Sequence, residues 1–268
     1  MKPISKINEN VLACSYMGLS MFCFVANDAL IRKVGSTVPV GQILLLRNGI
    51  LVLLLLLALR QLGQWQTLPA VFAPKVAVRA IIELFGTFAF LYALMRIPFA
   101  NTAAILQCLP LAVTLGASLF FGEKVGPWRW SAIVVGFIGV VIVLRPGMAG
   151  FAPAALWLLV TVVCGAARDL LSRSIPNTVP TSIISLSTAA IIAIAGLFVV
   201  LWQGNWVALG PIDMLLLMLS AVFLLGAYQF IVMSMRIGDV GFVAPFRYTS
   251  LLGQCFWGGW SSMNCRIP

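Results

Sequence analysis

The stretch DALIRKVGSTVP at residues 28–39 decides the fold, because a related stretch, DLLSRSIPNTVP, follows at residues 169–180. An offset of 141 residues aligns Asp28 with Asp169, Arg32 with Arg173, and the two Thr-Val-Pro triplets. An offset of 140 aligns Gly86 with Gly226, Phe90 with Phe230, and two Met-Arg-Ile triplets at 95–97 and 235–237. Apolar matches arise easily by chance in such a chain, whereas matched Asp, Arg, Gly and Pro do not. The sequence therefore predicts an internal duplication.

The composition places the chain in lipid. Its 268 residues are 62% hydrophobic and 9% charged, and the mean hydropathy is +1.07. A soluble domain carries about 45–50% apolar and about 25% charged residues. A globule of this size could not hide so much apolar surface from water. The composition thus indicates an integral membrane protein and argues against a water-soluble enzyme.

Charge and residue usage exclude several kinds of site. The net charge is +10, but the basic residues lie singly or in pairs between apolar runs, without the basic stripe of a nucleic-acid binder. Histidine is absent, which removes the commonest general base and neutral metal ligand. The six cysteines show no CxxC spacing. We therefore predict no nucleic-acid partner, no metal and no cofactor.

Runs of apolar residues, separated by charged residues, proline and glycine, predict nine membrane-spanning helices. A span needs about 20 mostly apolar residues to cross about 30 Å of hydrocarbon. No segment shows the alternation of a membrane β-strand. The fold class is an all-α integral membrane bundle with predicted spans at 11–31, 41–59, 77–95, 99–121, 128–145, 153–172, 180–202, 213–235 and 240–260.

The number of spans in each copy sets the topology. Five spans fit into the first unit, residues 11–147, before the second unit begins at residues 152–268. An odd number of spans makes the second copy enter the membrane from the opposite side. Inverted repeats of this kind are a transporter architecture with a substrate site near the midplane. A duplicated bundle without a transport role is the alternative.

Loop cations favour a cytoplasmic N-terminus, because Lys and Arg accumulate on the cytoplasmic side. This orientation leaves four cations outside: Arg32, Lys33, Arg96 and Arg145. It places ten on or near the inside: Lys2, Lys6, Arg60, Lys75, Arg79, Lys124, Arg129, Arg168, Arg173 and Arg236.

The end of the chain departs from the repeat. The offset predicts that the second unit runs to about residue 287, whereas the chain stops at Pro268 and its last stretch, 253–268, loses the apolar character. A reading frame shifted by one base can restore a string that matches residues 115–123. We therefore expect a frameshift or sequencing error to have removed the rest of helix nine and all of helix ten. The gene's nucleotide sequence tests this, because the hypothesis requires an in-frame continuation one base away.

Several short motifs follow one another in a fixed order along the chain. They are Asn27-Asp28-Ala29-Leu30, Arg47-Asn48-Gly49, residues 97–104, Leu109-Pro110-Leu111, residues 119–123 before Trp128, residues 136–147, Arg168-Asp169-Leu170-Leu171 and residues 245–250. Together these motifs resemble the EamA branch of the drug/metabolite transporter superfamily. The resemblance covers about residues 11–252 and implies ten helices, as two inverted five-helix EamA repeats in the bacterial inner membrane that move small metabolites. We expect this chain to have about nine of these helices, because helix ten is missing.

Polar residues inside the spans are candidates for substrate binding, because ionisable groups at membrane depth are costly and often functional. Glu83 could titrate a proton, bind a cation or pair with an Arg. Arg247, beside Tyr248, could hold a substrate carboxylate or phosphate, or could pair with Glu83. Gln107, Tyr228 and Gln229 could contact substrate or hydrogen-bond between helices.

Three further residues are candidates for gating or for structural polar pairs. Asp28 and Asp169 occupy equivalent places near the ends of the first and sixth spans. They could pair with Arg32 and Arg173 at i+4 or act in a gate. Arg47 lies early in the second span, where it could extend its guanidinium to the membrane surface.

The sequence thus predicts a secondary transporter of a small organic metabolite, working by alternating access. The metabolite could be amino-acid-like, a nucleoside derivative or a vitamin. The other partner is the lipid bilayer, and a homodimer is left open. The competing interpretations are a non-functional, truncated product of a frameshifted gene and a polytopic membrane enzyme, which would need catalytic residues clustered at a membrane face.

Overall fold

The computed structural model describes residues 3–94, 96–97, 102, 105–122, 126–144 and 153–250. Within these ranges the chain is helical and contains no strand. The helices that we number are α1 Pro3–Val34, α2 Val40–Gln61, α3 Pro74–Leu94, α4 Leu109–Phe121, α5 Pro127–Leu144, α6 Ala155–Ser174, α7 Thr181–Gln203 and α8 Pro211–Ile237. A 3₁₀ segment, Trp65–Phe72, precedes α3. After α8 come one α-turn, Val240–Val243, and a 3₁₀ turn, Ala244–Tyr248.

The predicted all-helical membrane fold is confirmed. Among the described residues, five helices are long and apolar enough to cross a membrane: α1 from Asn8, α2, α6, α7 and α8. Shorter apolar helices lie at Leu109–Phe121 and Trp130–Ile142. α3 has 21 residues but carries Lys75, Arg79 and Glu83 in its first half.

Two predicted spans differ from the structure for the same reason. The span predicted at 99–121 is interrupted by a turn at Gln107 and Cys108, and α4 begins only at Leu109 with Pro110 in its first turn. The described part of the span at 240–260 is broken into short turns, with Pro245 in the first turn of the 3₁₀ segment. Proline lacks an N–H and is tolerated in a first turn but not inside a helix. Residues 251–268, which the frameshift hypothesis concerns, lie outside the described residues.

Proline and glycine set the other helix ends. Pro39 and Pro180, the last residues of the two repeated stretches, stand directly before α2 and α7 in the same extended conformation. Gly204 ends α7 at a φ of 63°, and Gly122 ends α4 at a φ of 65°. Such left-handed backbone is easily adopted only by glycine. The duplicated sequence therefore produces duplicated helix boundaries.

In the part of the chain that the structure describes, the bundle is built from three extensive antiparallel helix pairs, each joining a helix before residue 147 to one after residue 152. In α1/α8, Ser20 Oγ donates to Ala227 O at 2.9 Å and Ser234 Oγ donates to Ala13 O at 2.6 Å. In α3/α6, Lys75 Nζ donates to Ser174 O at 3.1 Å. In each pair the residue number rises in one helix as it falls in the other, which makes the helices antiparallel.

The pair α2/α7 packs through small residues. A Cβ built on Gly196 would stand 2.6 Å from Leu45 N and 3.0 Å from Gly41 O, so the two backbones are in direct contact. Small residues allow this approach, which supplies the packing and hydrogen bonds that hold membrane helices together. Further along the same pair, Leu51, Leu55 and Leu59 pack with residues of α7 in a buried cluster.

The outer surface of the bundle is apolar. Large side chains such as Leu53, Ile194 and Val222 are exposed along the middle of α2, α7 and α8. Trp202, 91% exposed, and Trp128, 86% exposed, lie at helix ends, where tryptophan favours the membrane–water interface. This distribution fits a lipid environment.

One side-chain amide ties the two parts of the chain together near the start of α2. Gln42 is completely buried. Its Nε2 donates to Val207 O at 2.8 Å, and its Oε1 accepts from Val207 N at 3.1 Å. The amide thus pairs with both backbone groups of the residue, as a neighbouring strand would. The loop between α7 and α8 is thereby attached to α2.

We expect Gly196→Ala to destabilise the protein, because the new methyl group would meet the backbone of α2. Overpacking of this kind costs about 1–3 kcal/mol, so the apparent Tm of the purified protein should fall by several degrees. Gly49→Ala is the matched control, since a Cβ there has no atom within 4 Å and alanine favours the helix. Equal Tm values for the two variants would contradict the close packing of α2 and α7.

Candidate functional site

A network of buried charges joins α3, α6 and the 3₁₀ turn after α8. Arg168 Nη1 donates to both carboxylate oxygens of Glu83 at 2.9 Å. Arg168 Nε donates to Asp169 Oδ1 at 2.9 Å, and Arg247 Nη2 donates to Asp169 Oδ2. The network therefore alternates cations and anions, in the order Glu83, Arg168, Asp169 and Arg247.

The members of this network are shielded from solvent. The side chains of Asp169 and Arg247 are 1% and 6% exposed, and those of Arg168 and Glu83 are 11% and 12% exposed. Removing such charges from water costs several kcal/mol per ion, on the order of the attraction between them. The charges are tolerated at this depth because each has a partner of opposite sign.

Arg79 extends the network from one turn below Glu83 on α3. Its side chain is among the most buried in the protein, with the residue 1% exposed. Its Nε donates to Ser172 Oγ and its Nη1 to Thr188 Oγ1, both at 2.6 Å. Arg79 therefore connects α3 to both α6 and α7.

Arg79 and Arg168, which the sequence analysis grouped with the cations on or near the cytoplasmic side, both have side chains buried in the bundle. Neither residue was predicted as part of the site. One signal was present: Arg79 and Glu83 are four residues apart, which places them on one helix face. A cation beside a suspected intramembrane carboxylate was thus a candidate for the same cluster.

A second polar cluster lies toward the other end of the bundle. Arg47 Nη1 donates to Asn27 Oδ1 at 3.3 Å, and Asn27 Nδ2 donates to Asp28 Oδ1 at 3.1 Å. The neighbouring Asn48 is completely buried and donates to Leu44 O. This cluster connects α1 and α2, and Asn27-Asp28 is the repeat counterpart of Arg168-Asp169 at the offset of 141.

Tyr228 lies between the two clusters. It is buried and packs edge-on against Phe24, with the ring centroids 6.0 Å apart. It is close enough to Glu83 and Arg47 to interact electrostatically with both. The adjacent Gln229 points elsewhere and donates from Nε2 to Ser182 Oγ at 3.3 Å. Of these two predicted residues, only Tyr228 is therefore near the charges.

Gln107 and Tyr248 meet beside a cleft between α4 and α5. Tyr248 Oη donates to the backbone carbonyl of Gln107 at 3.1 Å. The cleft has a volume of about 280 Å³ and is lined mostly by apolar atoms; its walls are Gln107, Cys108, Leu111, Gly136, Gly139, Val140 and Tyr248. Among the described residues, no three His, Cys, Asp or Glu side chains are grouped as metal ligands would be.

We expect Asp169→Asn to lower stability strongly, because it leaves Arg168 and Arg247 without their shared carboxylate charge. Removing one partner of a buried ion pair costs about 3–5 kcal/mol, and thermal unfolding in detergent should report the loss. Glu9→Gln is the control, since Glu9 is exposed on α1. If Asp169→Asn unfolds at the same temperature as the wild-type protein and Glu9→Gln, the result contradicts the network.

Comparison with known proteins gives the family. The model of the EamA-like transporter family matches residues 11–145, half of the chain. A solved crystal structure with 21% sequence identity superposes with a TM-score of 0.71 and covers 91% of this chain and 86% of that one. At this identity the likeness supports the fold alone.

Curated relatives are named as transporters of small molecules. The riboflavin transporter of Rhizobium johnstonii is 29% identical over 173 residues, which cover 63% of this chain and 55% of that protein. The pseudopaline exporter CntI of Pseudomonas aeruginosa is 25% identical over 245 residues, covering 90% and 84%. The S-adenosylmethionine uptake transporter of Rickettsia prowazekii is 26% identical over 178 residues, covering 65% and 59%.

These matches confirm the resemblance noted in the sequence and point to a transporter rather than an enzyme. Together with the apolar helices, they identify a multi-pass integral membrane protein. The chain belongs to the EamA-like transporter family.

Proposed function

We propose that this protein is a secondary transporter that moves a small organic metabolite across the bacterial inner membrane by alternating access. The observation that carries the proposal is the buried ion pair between Glu83 on α3 and Arg168 on α6. Charged residues inside a membrane bundle are expensive and commonly mark a substrate or ion pathway. The names of the relatives support small molecules as cargo.

The proposed mechanism uses two inverted repeats, residues 11–147 and 152–268. The antiparallel packing of α2 and α7, which are counterparts in the repeat, supports this arrangement. At the repeat offset, α1 corresponds to α6 and α3 corresponds to α8. Replacing each helix of the pair α1/α8 by its counterpart therefore gives the pair α6/α3, which is also present. Rocking of one half against the other would then expose a central site to each side of the membrane in turn.

Charged side chains form some of the bonds that such rocking must rearrange. Glu83–Arg168, Arg79–Ser172 and Arg79–Thr188 cross from one repeat to the other. Asp169–Arg247 lies within the second repeat, and Arg47–Asn27 lies within the first. The first set therefore forms a gate between the halves, whereas the second set keeps each half rigid.

We expect proteoliposomes containing the full-length protein to show saturable flux of a metabolite, and Glu83→Gln and Arg247→Ala to reduce that flux at least tenfold. Glu83→Gln removes the anion that faces Arg168, and Arg247→Ala leaves Asp169 with one fewer cation. The assay should offer amino-acid-like, nucleoside and vitamin solutes, including S-adenosylmethionine and riboflavin, under imposed pH gradients and in both directions.

Arg60→Gln is the control for this assay, because Arg60 is exposed in the last turn of α2, away from the network. Wild-type flux in both Glu83→Gln and Arg247→Ala would refute the assignment of the site. A complete absence of saturable flux for every solute would instead argue against the transport function itself.

The proposed topology gives a separate prediction, with the N-terminus in the cytoplasm. Ser36 and Asn177 are exposed residues at equivalent places in the two repeated stretches. In inverted repeats these places face opposite sides of the membrane. A membrane-impermeant maleimide added to intact cells should therefore label Ser36→Cys but not Asn177→Cys in a cysteine-free background. Equal labelling of the two positions would contradict the inversion.

A further inference from the structure

We propose that Arg79 is the residue that binds the transported metabolite, and that it does so through a carboxylate group of that metabolite. The inference rests on the proposed transport function and specifies the chemical class of the substrate. It starts from an imbalance of charge in the buried network. Among the described residues, this network has three guanidinium groups, on Arg79, Arg168 and Arg247, and two carboxylates, on Glu83 and Asp169.

The surplus charge belongs to Arg79. Both carboxylates are engaged by other cations: Glu83 accepts two hydrogen bonds from Arg168, and Asp169 is shared by Arg168 and Arg247. Among the described residues, the hydrogen-bond partners of Arg79 are two neutral hydroxyl groups. A guanidinium stays protonated under all biological conditions, so Arg79 carries a buried positive charge that no described carboxylate contacts.

The two hydroxyl groups act as neutral acceptors. Ser172 Oγ donates its own hydrogen to Arg168 O at 2.8 Å, and Thr188 Oγ1 donates to Ile184 O at 3.1 Å. Each oxygen therefore has only lone pairs to offer to Arg79. This arrangement satisfies two N–H groups but provides no negative charge, and an uncompensated charge in a low-dielectric interior is strongly unfavourable.

Unused donors indicate where an anion could bind. The Nη2 group of Arg79 makes no hydrogen bond to a described residue. The Nε atom of Arg247, in the same network, is buried and also has no partner among the described residues. Carboxylates form strong paired hydrogen bonds with guanidinium groups. An anionic ligand at Arg79 would thus satisfy free donors and neutralise the charge.

The size of the imbalance selects the ligand. One surplus positive charge is balanced by one carboxylate, whereas a phosphate monoester brings about 1.5 to 2 negative charges at neutral pH and would leave a net negative site. Among the candidate substrates, this favours amino-acid-like metabolites, which present a single carboxylate that could pair with Arg79. It disfavours riboflavin, which has no charge at neutral pH.

The first test compares matched pairs of solutes in proteoliposomes of the full chain. The solutes are L-amino acids and their carboxamides, S-adenosylmethionine and its carboxyl methyl ester, and riboflavin. We expect only solutes with a free carboxylate to be transported. In Arg79→Gln the half-saturation concentration should rise at least tenfold, in Arg79→Lys it should rise less, and in Arg60→Gln it should not change. Equal transport of an acid and its amide, or transport of riboflavin, by the wild-type protein would overturn the inference and leave the transport function standing.

The second test does not depend on finding the substrate. Ser172→Asp places a fixed carboxylate at the position where Ser172 Oγ now contacts Arg79, and Ser172→Asn is its neutral control of the same size. We expect Ser172→Asp to have the higher Tm of the two and to lose carboxylate transport, because its own anion occupies Arg79. If Ser172→Asp is the less stable variant, Arg79 carries no uncompensated charge and the inference fails, whether or not any solute is transported.

Discussion

A guanidinium group inside a lipid bilayer can obtain hydrogen bonds and counter-charges only from its own protein, and this requirement organises the centre of the molecule. Arg168 meets it through Glu83 and Asp169, and Arg247 meets it through Asp169. The helices that carry these groups must therefore lie side by side in a fixed register. α3 and α6 pack antiparallel so that residues near position 83 on one helix face residues near position 168 on the other.

The remaining packing is compatible with that register and needs no charge. α1 and α8 are joined by hydroxyl groups that donate to backbone carbonyls of the opposite helix. α2 and α7 are joined by direct backbone contact at Gly41 and Gly196. Since the surrounding lipid is as apolar as the helix surfaces, close contact and hydrogen bonds supply the specificity that hydrophobic burial supplies in water. Charged, polar and small-residue contacts thus each hold one of the three major pairs.

The sequence predicts much of this fold because the relevant signals are local. Long apolar runs identify α1, α2, α6, α7 and α8, and the repeated Thr-Val-Pro triplets place the starts of α2 and α7. The interruption at Gln107 and Cys108 was missed, since apolar composition hides a break that depends on Pro110 and its backbone geometry.

The site was harder to predict than the fold. Glu83 and Arg247 stand out because charges are rare in apolar runs, but their partners depend on how each helix is rotated toward its neighbour. The sequence could not show that Arg168 faces Glu83, or that Arg79 points inward rather than toward the membrane surface. Depth along a helix can be counted from the sequence, whereas rotation about the helix axis is set by packing against helices far away in the chain. The substrate-binding role of these residues stays a prediction.

The amide pair between Gln42 and Val207 has a consequence for the energy balance of a transport cycle. It links the two repeats near one end of the bundle with two neutral hydrogen bonds, each worth about 1 kcal/mol net. The charged contacts of Glu83, Arg168 and Arg79 link them nearer the other end, where leaving one member of a buried ion pair without its partner costs about 3–5 kcal/mol. In the cycle that we propose, the two ends are therefore held by contacts of different kinds. A ligand that neutralises the charge on Arg79 changes the strength of the contacts at the charged end and leaves the neutral amide pair near Gln42 as it is.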